Sequence, residues 1–269
     1  MSAPLITPES SPGFITTAEA HKAAYDNGFR VELGPHGGWT GYRSTTARGE
    51  IWVARDPTQD LWLLALTHAG VIAEFSIPQV EAPGAPGKAS YAFSQLSILH
   101  DAVDRAYKLG VSLPDAPLTV FRKQTSELAR TTEAERLTIV RIGQNIFRDA
   151  LMEYWDGCCP LTGIREPELL RASHIVPWAE CESDELRLDV HNGLLLSALW
   201  DCAFDAGLIS FADTGEVLRS PRLTEAASHA LQLHGKPSLN QLTDSHRQNL
   251  KRHRTRNGFP PESLGGDRI

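Results

Sequence analysis

The chain of 269 residues contains only four cysteines, and no two of them form a Cys-x-x-Cys pair. That pair is the usual half-site of a zinc ribbon or zinc finger, so no structural zinc is expected. Cys158 and Cys159 are adjacent and poorly placed to bridge each other. With Cys181 and Cys202 they read as free thiols of a reducing compartment. Long apolar runs are missing too. "LWLLAL" and "LLLSALW" fall far short of the roughly 20 residues that span a bilayer. The opening "MSAPLITPESSPG" lacks the basic start and apolar core of a secretion signal. A cytoplasmic protein without membrane contact is expected. Net positive charge is also absent: the formal charge is −7, which argues against a protein that coats nucleic acid without selection. A local contact is still open to it. "SHRQNLKRHRTRNG", Ser245 to Gly258, carries Arg247, Lys251, Arg252, Arg254 and Arg256 with no acid, and fits either a solvated tail or a phosphate-contacting segment.

What is present has the composition of an ordinary globular protein, with length enough for one large domain or two smaller ones. "TAEAHKAAYDNG", from Thr17, reads as a short helix closed by Asn27-Gly28. "FRVELG", "GEIWVAR", "LWLLALTH" and "GVIAEFSI" read as strands of one sheet. "VEAPGAPGKAS" is a loop, and "SYAFSQLSILHDAVDRAYKLG" has a helical period through Phe93, Leu96, Leu99, Val103, Ala106 and Tyr107, with Gly110 as its stop. "VSLPDAPLTVFRKQTSELAR" reads as a connector, because Pro114 and Pro117 forbid a continuous helix. Thr132 and Glu135 then form a capping box. The helix it opens places Leu137, Val140, Phe147, Leu151 and Tyr154 or Trp155 on one face, with Arg136, Arg141 and Arg148 partly off it. The fold class expected is α+β: an N-terminal α+β domain over residues 1–125 and a second domain over residues 126–269.

Beyond that helix, "CCPLTGI" is a turn and "ELLRASHIVPW" a strand ending at Pro177. A polar loop, "AECESDELRLDV", leads to "HNGLLLSALWDCAFDAGLISF", where "GLLL" is a second strand, Ser197 an N-cap and "ALWDCAFDAG" a short helix stopped by Gly207. Asp201 and Asp205 stand four residues apart and share a helix face. Their repulsion becomes chelation if a divalent cation binds, and oxygen ligands favour a hard ion, Mg²⁺ first and Mn²⁺ next. By itself such a pair is also compatible with a solvated face, and His174 with an ordinary hydrogen-bonded imidazole on a strand.

Taken together in order, "RIGQNIFRD", "CCPLTGI", "LLRASHIVPW" and "HNGLLLSALWDCAFDAGLISF" make the segment from about Arg141 to Phe211 resemble the HNH endonuclease family, a group of ββα-metal nucleases. The resemblance implies hydrolysis of DNA phosphodiester bonds, leaving 5′-phosphate and 3′-hydroxyl ends. It makes His174 the general base, which suits a group with an ordinary pKa near 6.5. Asn192 supports the loop and orients the His174 ring. Asp201 and Asp205 hold one metal ion, and Arg141, Arg148 and Arg171 are the candidate DNA contacts. Two positions depart from the family pattern. Ser173 stands where many members place an acid or histidine before the base, and Asp201 stands where the family name has its last histidine. His191 is then either a substitute ligand or a surface-loop histidine. Trp178 and Trp200 are expected to pack the small core, and Cys159 to be buried.

The front domain shows no recognisable motif. Trp39, Tyr42, Trp52 and Trp62 are candidates for a pocket that holds a flipped or modified base, and Arg43, Arg48 and Arg55 for phosphate contacts, against the plainer reading of core tryptophans and solvated arginines. The expected function is a metal-dependent DNA endonuclease of restriction or defence type, with modification dependence and a homodimer as further expectations. A non-cleaving nucleic-acid-binding protein and a nuclease effector gated by a protein or small molecule are the alternatives.

Overall fold

The computed structural model describes residues 6–128 and 131–260. Helices and strands mix along the whole chain in an α+β arrangement. The chain divides into two compact units, Met1–Ala116 and Pro117–Ile269.

In the first unit, helix α1 (Phe14–Asp26) precedes four strands, β1 (Val31–His36), β2 (Trp39–Arg43), β3 (Glu50–Asp56) and β4 (Leu61–Leu66). Helix α2 (Ala69–Glu74), strand β5 (Ala89–Phe93) and helix α3 (Leu96–Ser112) follow. The five strands form one antiparallel sheet in sequential order. Residues paired across an antiparallel ladder share a face. Tyr42, paired with Ile51, therefore lies on the same face as Leu66, and Trp62 joins them by alternation along β4. Trp39 and Trp52 lie on the other face, where Trp39 packs with Ala54, Leu63 and Ala65 under Ile6, Ala82 and Ala85. The four aromatics proposed for one pocket are thus split between two faces of a sheet and cannot line it together. Arg55 is also committed elsewhere, stacked on the Trp62 ring at 5.1 Å and paired with Asp60.

Three expectations change here. "GVIAEFSI" is not a strand: the His68 Nδ1 accepts the Val71 amide at 3.2 Å, and this N-cap turns the segment into α2. Phe93 belongs to β5 rather than to the helix, which starts after Gln95. The "WTGYR" strand, β2, escaped notice because glycine weakens a strand. Gly41 is there because the Trp52 ring of the neighbouring strand occupies the space its Cβ would need, 2.6 Å away.

The expected connector is itself helical. Pro114 ends α3, and α4 (Asp115–Thr125) accepts Pro117 in its first turn, where the missing amide hydrogen has no helical partner to lose. Helix α5 (Glu133–Tyr154) opens with the capping box of Thr132 and Glu135, both halves formed. Leu137 on this helix is 62 % exposed, so the buried stripe begins further along, at Gly143 and Phe147. Strand β6 (Leu170–His174), helix α6 (Asp184–Leu188), strand β7 (Gly193–Ser197) and helix α7 (Ala198–Asp205) come next. The unit closes with a small hairpin of β8 (Ile209–Phe211) and β9 (Val217–Arg219), then α8 (Glu225–Ala230) and α9 (Asp244–Arg256). No described helix is long and apolar enough to cross a membrane.

Asp56 ends β3 with its side chain buried. Burial alone would raise its pKa, but hydrogen bonds from Thr58, Thr7 and Gln59 outweigh that and bring it to about 2, below the ordinary 3.8. A carboxyl group depressed in the folded state stabilises the fold above its unfolded pKa and loses that contribution as pH falls through the folded one. Chemical denaturation of Asp56→Asn should accordingly give lower stability at neutral pH and a flatter decline between pH values of about 4 and 2 than the parent shows. Parallel curves for the two proteins would show that Asp56 carries no such linkage.

Candidate active site

Strands β6 and β7 pair antiparallel, with Leu170 opposite Ser197 and His174 opposite Gly193. The hairpin thus brings the last residue of one strand against the first of the other. A side chain at Gly193 would meet the Phe147 ring at 2.5 Å, so glycine is what lets α5 sit this close. The same Phe147 ring stacks on the His174 imidazole, centroids 3.8 Å apart and planes at 21°. Trp178 closes a second side edge-on at 5.5 Å.

The His174 Nε2 lies 2.9 Å from the Arg187 carbonyl. A carbonyl oxygen can only accept, so Nε2 carries the hydrogen and Nδ1 keeps its lone pair. Burial between the two rings pushes the pKa down to about 4, against the opposing pull of the Arg187 carbonyl. At neutral pH the ring is uncharged and presents one basic nitrogen.

Arg187 is held by its own side chain. Its guanidinium donates to the carbonyls of Trp178 at 3.2 Å and Cys181 at 2.6 Å, and pairs with Asp184 at 3.0 Å. One residue therefore gathers the loop after β6 and aims a carbonyl at the imidazole. Asn192, fully buried, does the complementary work. Its Oδ1 accepts the Val176 amide at 2.8 Å, and its Nδ2 donates to the carbonyls of Val176 at 3.2 Å and Leu186 at 3.1 Å. The amide makes no bond to the His174 ring. It fixes Leu186, the neighbour of the residue whose carbonyl holds the ring, so any orienting effect is indirect.

Helix α7 packs on both strands and carries Asp201 and Asp205 one turn apart. Burial raises the Asp205 pKa, the Asp201 charge raises it further, and Arg256 opposes the rise. Among the described residues no group of three or more His, Cys, Asp or Glu is placed to hold a metal ion. The donor set that α7 offers is two mutually repelling carboxylates, which suits a hard divalent cation that removes the repulsion.

Residues 159–212 match the family model of the HNH endonucleases. The match covers about a fifth of the chain and includes His174, Asn192, Asp201 and Asp205. It supports a nuclease, a hydrolase of phosphodiester bonds, and HNH nucleases generally use a divalent metal. No curated protein matches the chain.

Around this HNH segment the other expected residues separate. Arg148 directs its guanidinium at the carbonyls of Leu170 at 2.9 Å and Pro167 at 2.6 Å, so it ties α5 to the start of β6 rather than facing solvent. Arg171 is exposed but donates from Nη1 to the Glu168 and Leu170 carbonyls, both at 2.9 Å. Arg141 is exposed on α5. Ser173 is buried, on the opposite side of β6 from His174 by strand alternation. His191 is not a surface-loop residue: its Nδ1 is 2.7 Å from Asp189 Oδ1, and its ring packs against Tyr154 and His246. Trp200 is buried as expected, whereas Trp178 is half-buried against the imidazole. Cys159 is buried in a turn. Phe147 and Arg187 were missed as parts of the site. Phe147 looked like any core residue of an amphipathic helix, and Arg187 like any charge in a polar loop.

In nitrogen-correlated NMR of the DNA-free protein, His174 should show the neutral Nε2–H tautomer from pH 5 to pH 8 and take up a proton only near pH 4. The unfolded chain protonates this ring near 6.5, so its contribution makes folding less favourable as pH falls from 6.5 toward 4. A midpoint near 6.5, or the Nδ1–H tautomer, would contradict the geometry above. Asn192→Ala leaves the Val176 amide and the Leu186 carbonyl without their side-chain partner, leaves the Val176 carbonyl only the Cys181 thiol, and should lower stability by about 3 kcal/mol in urea denaturation. A loss below about 0.5 kcal/mol, the range of ordinary surface substitutions, would mean that the loop is held by other contacts.

Proposed function

We propose that the protein is a metal-dependent DNA endonuclease in which His174 is the general base. The observation that carries this reading is the ring held by Nε2 on the Arg187 carbonyl, with Nδ1 left as a lone-pair acceptor, inside the segment that matches HNH endonucleases. Hydrolysis of a phosphodiester needs a water deprotonated as it attacks. Nδ1 of a neutral imidazole takes that proton, and the bond from Nε2 to the carbonyl steadies the imidazolium that results. The Phe147 ring beneath and Trp178 beside the imidazole restrict its rotation, so proton transfer occurs from one ring orientation.

Asp201 and Asp205 hold the cation, Mg²⁺ first and Mn²⁺ next. When bound, it supplies charge relief at the phosphoryl group and at the departing 3′ oxygen. Asn192 acts on the loop rather than on the reacting atoms, and Arg187 is a positioning residue. Exposed Arg141 is the strongest remaining backbone contact among the three arginines first considered, since Arg148 and part of Arg171 serve backbone carbonyls. The reading assigns residues 126–269 to cleavage and residues 1–125 to choice of substrate, in a protein of restriction or defence type. Modified DNA is the first substrate class to test.

The purified protein, incubated with unmodified and phage-modified plasmid in Mg²⁺, Mn²⁺ or EDTA, should cut only with metal. His174→Ala should be slower by about 10²- to 10⁴-fold, the usual worth of a positioned base. Arg187→Ala should lower kcat while leaving KM within about twofold, since a positioning residue touches no substrate. Cutting in EDTA, or undiminished cutting by His174→Ala, would overturn the assignment. Binding without cutting under every condition would favour a non-cleaving protein or a partner-gated effector.

A further inference from the structure

Helix α9 has a low share of apolar residues and is nevertheless firmly placed. His246, Asn249, Leu250, His253 and Arg254 are buried along one side of it, at helical spacing. His253 stacks on Phe204 of α7, centroids 3.9 Å apart and planes at 7°, and its two nitrogens bond the Phe204 carbonyl and the Ser210 hydroxyl. Arg254 donates to the Phe211 carbonyl and pairs with Asp213, each at 2.7 Å. Asn249 donates to the carbonyl of His191, the residue before Asn192. The helix is therefore pinned both to the acid-bearing helix and to the turn that carries the loop-holding asparagine.

The opposite side is an open, exposed stripe of Gln248, Lys251, Arg252, Thr255 and Arg256. Arg256 pairs with Glu180 at 3.2 Å, in the loop after β6. Lys251 and Arg252 form no ion pair or side-chain hydrogen bond among the described residues, and both are exposed. Complementing the helix dipole does not account for them, because that effect is confined to the last turn, which already holds His253, Arg254 and Arg256. In a chain of net charge −7, two unpaired cations on a rigid helix beside the candidate site form a concentrated positive surface.

We propose that this stripe of α9, through Lys251 and Arg252, grips the phosphate backbone of duplex DNA and sets its register on the β6–β7 hairpin. The proposal rests on the nuclease reading for its choice of partner, and its test does not depend on cleavage. Binding of a labelled duplex is measured by fluorescence anisotropy in EDTA across a salt series. Full-length His174→Ala is the parent, compared with the same protein carrying Lys251→Gln and Arg252→Gln. A third protein carries Arg165→Gln and Lys236→Gln, two exposed positions of the second unit away from α9, as a control for loss of charge alone.

Each backbone contact contributes about 0.9 to the slope of log K against log salt, so the α9 pair should flatten the slope by nearly 2. Its affinity should fall at low salt with an unchanged melting temperature, and the control pair should behave like the parent. A slope equal to the parent's, or a loss no greater than the control pair's, overturns the α9 proposal and leaves plasmid cleavage to decide the nuclease reading separately. A parent that binds no duplex even at low salt overturns the proposal as well.

Discussion

The hydrogen bond from His174 Nε2 to the Arg187 carbonyl is the contact on which the candidate site depends. It fixes the tautomer, and with the tautomer it fixes which nitrogen can take a proton. An imidazole on a strand end would otherwise sample two tautomers and a range of ring orientations. Much of the local structure can be understood as holding that one carbonyl in place. The Arg187 guanidinium reaches back to Trp178 and Cys181, and Asn192 binds the carbonyl of Leu186. Gly193 gives Phe147 room to lie flat on the ring. The contacts are mutually dependent: loosening the loop frees the carbonyl, and a free carbonyl leaves the ring unheld.

Burial and charge pull the site's titratable groups in opposite directions, and the directions make chemical sense. His174 is pushed toward the neutral form, the state that the proposed base requires at neutral pH. Asp205 is also pushed toward neutrality, by burial and by Asp201, with Arg256 opposing. A cation held near the two carboxylates would oppose both effects on Asp205.

Parts of this were legible in the residues and parts were not, for physical reasons. The capping box at Thr132 and Glu135 is a local interaction with a local signature, and it is formed as expected. The paired strands around His174 and the acid-bearing helix stand where short apolar runs between polar breaks put them, with Ser197 at the N-cap position although its hydroxyl makes no capping bond. Segment "GVIAEFSI" misled because β-branched composition was outweighed by a histidine N-cap, a rarer device than serine or aspartate. The front aromatics left a pocket and a core reading both open, and burial of Trp39, Tyr42 and Trp62 agrees with the core. Composition does not say on which face of a sheet a tryptophan stands, and only the pairing of Gly41 with Trp52 and of Tyr42 with Ile51 separates them. Arg187 was invisible because its role lies in a main-chain carbonyl, which no side-chain identity announces.

The same limit explains how an acidic chain can be suited to a polyanionic substrate. Net charge counts every ionised group equally, yet most cations of the second unit are committed. Arg148 serves carbonyls, Arg187 a loop, Arg254 an aspartate, and Arg247 pairs with Asp244. A cation paired with a carboxylate contributes little to the outward field, because its charge is matched at close range, and one turned onto carbonyls is held away from a phosphate. What reaches a phosphate is the uncommitted remainder, and on α9 that remainder stands on one side of a helix whose other side is locked to the candidate site. For contacts to a phosphate backbone, where the free cations stand matters more than how many cations there are.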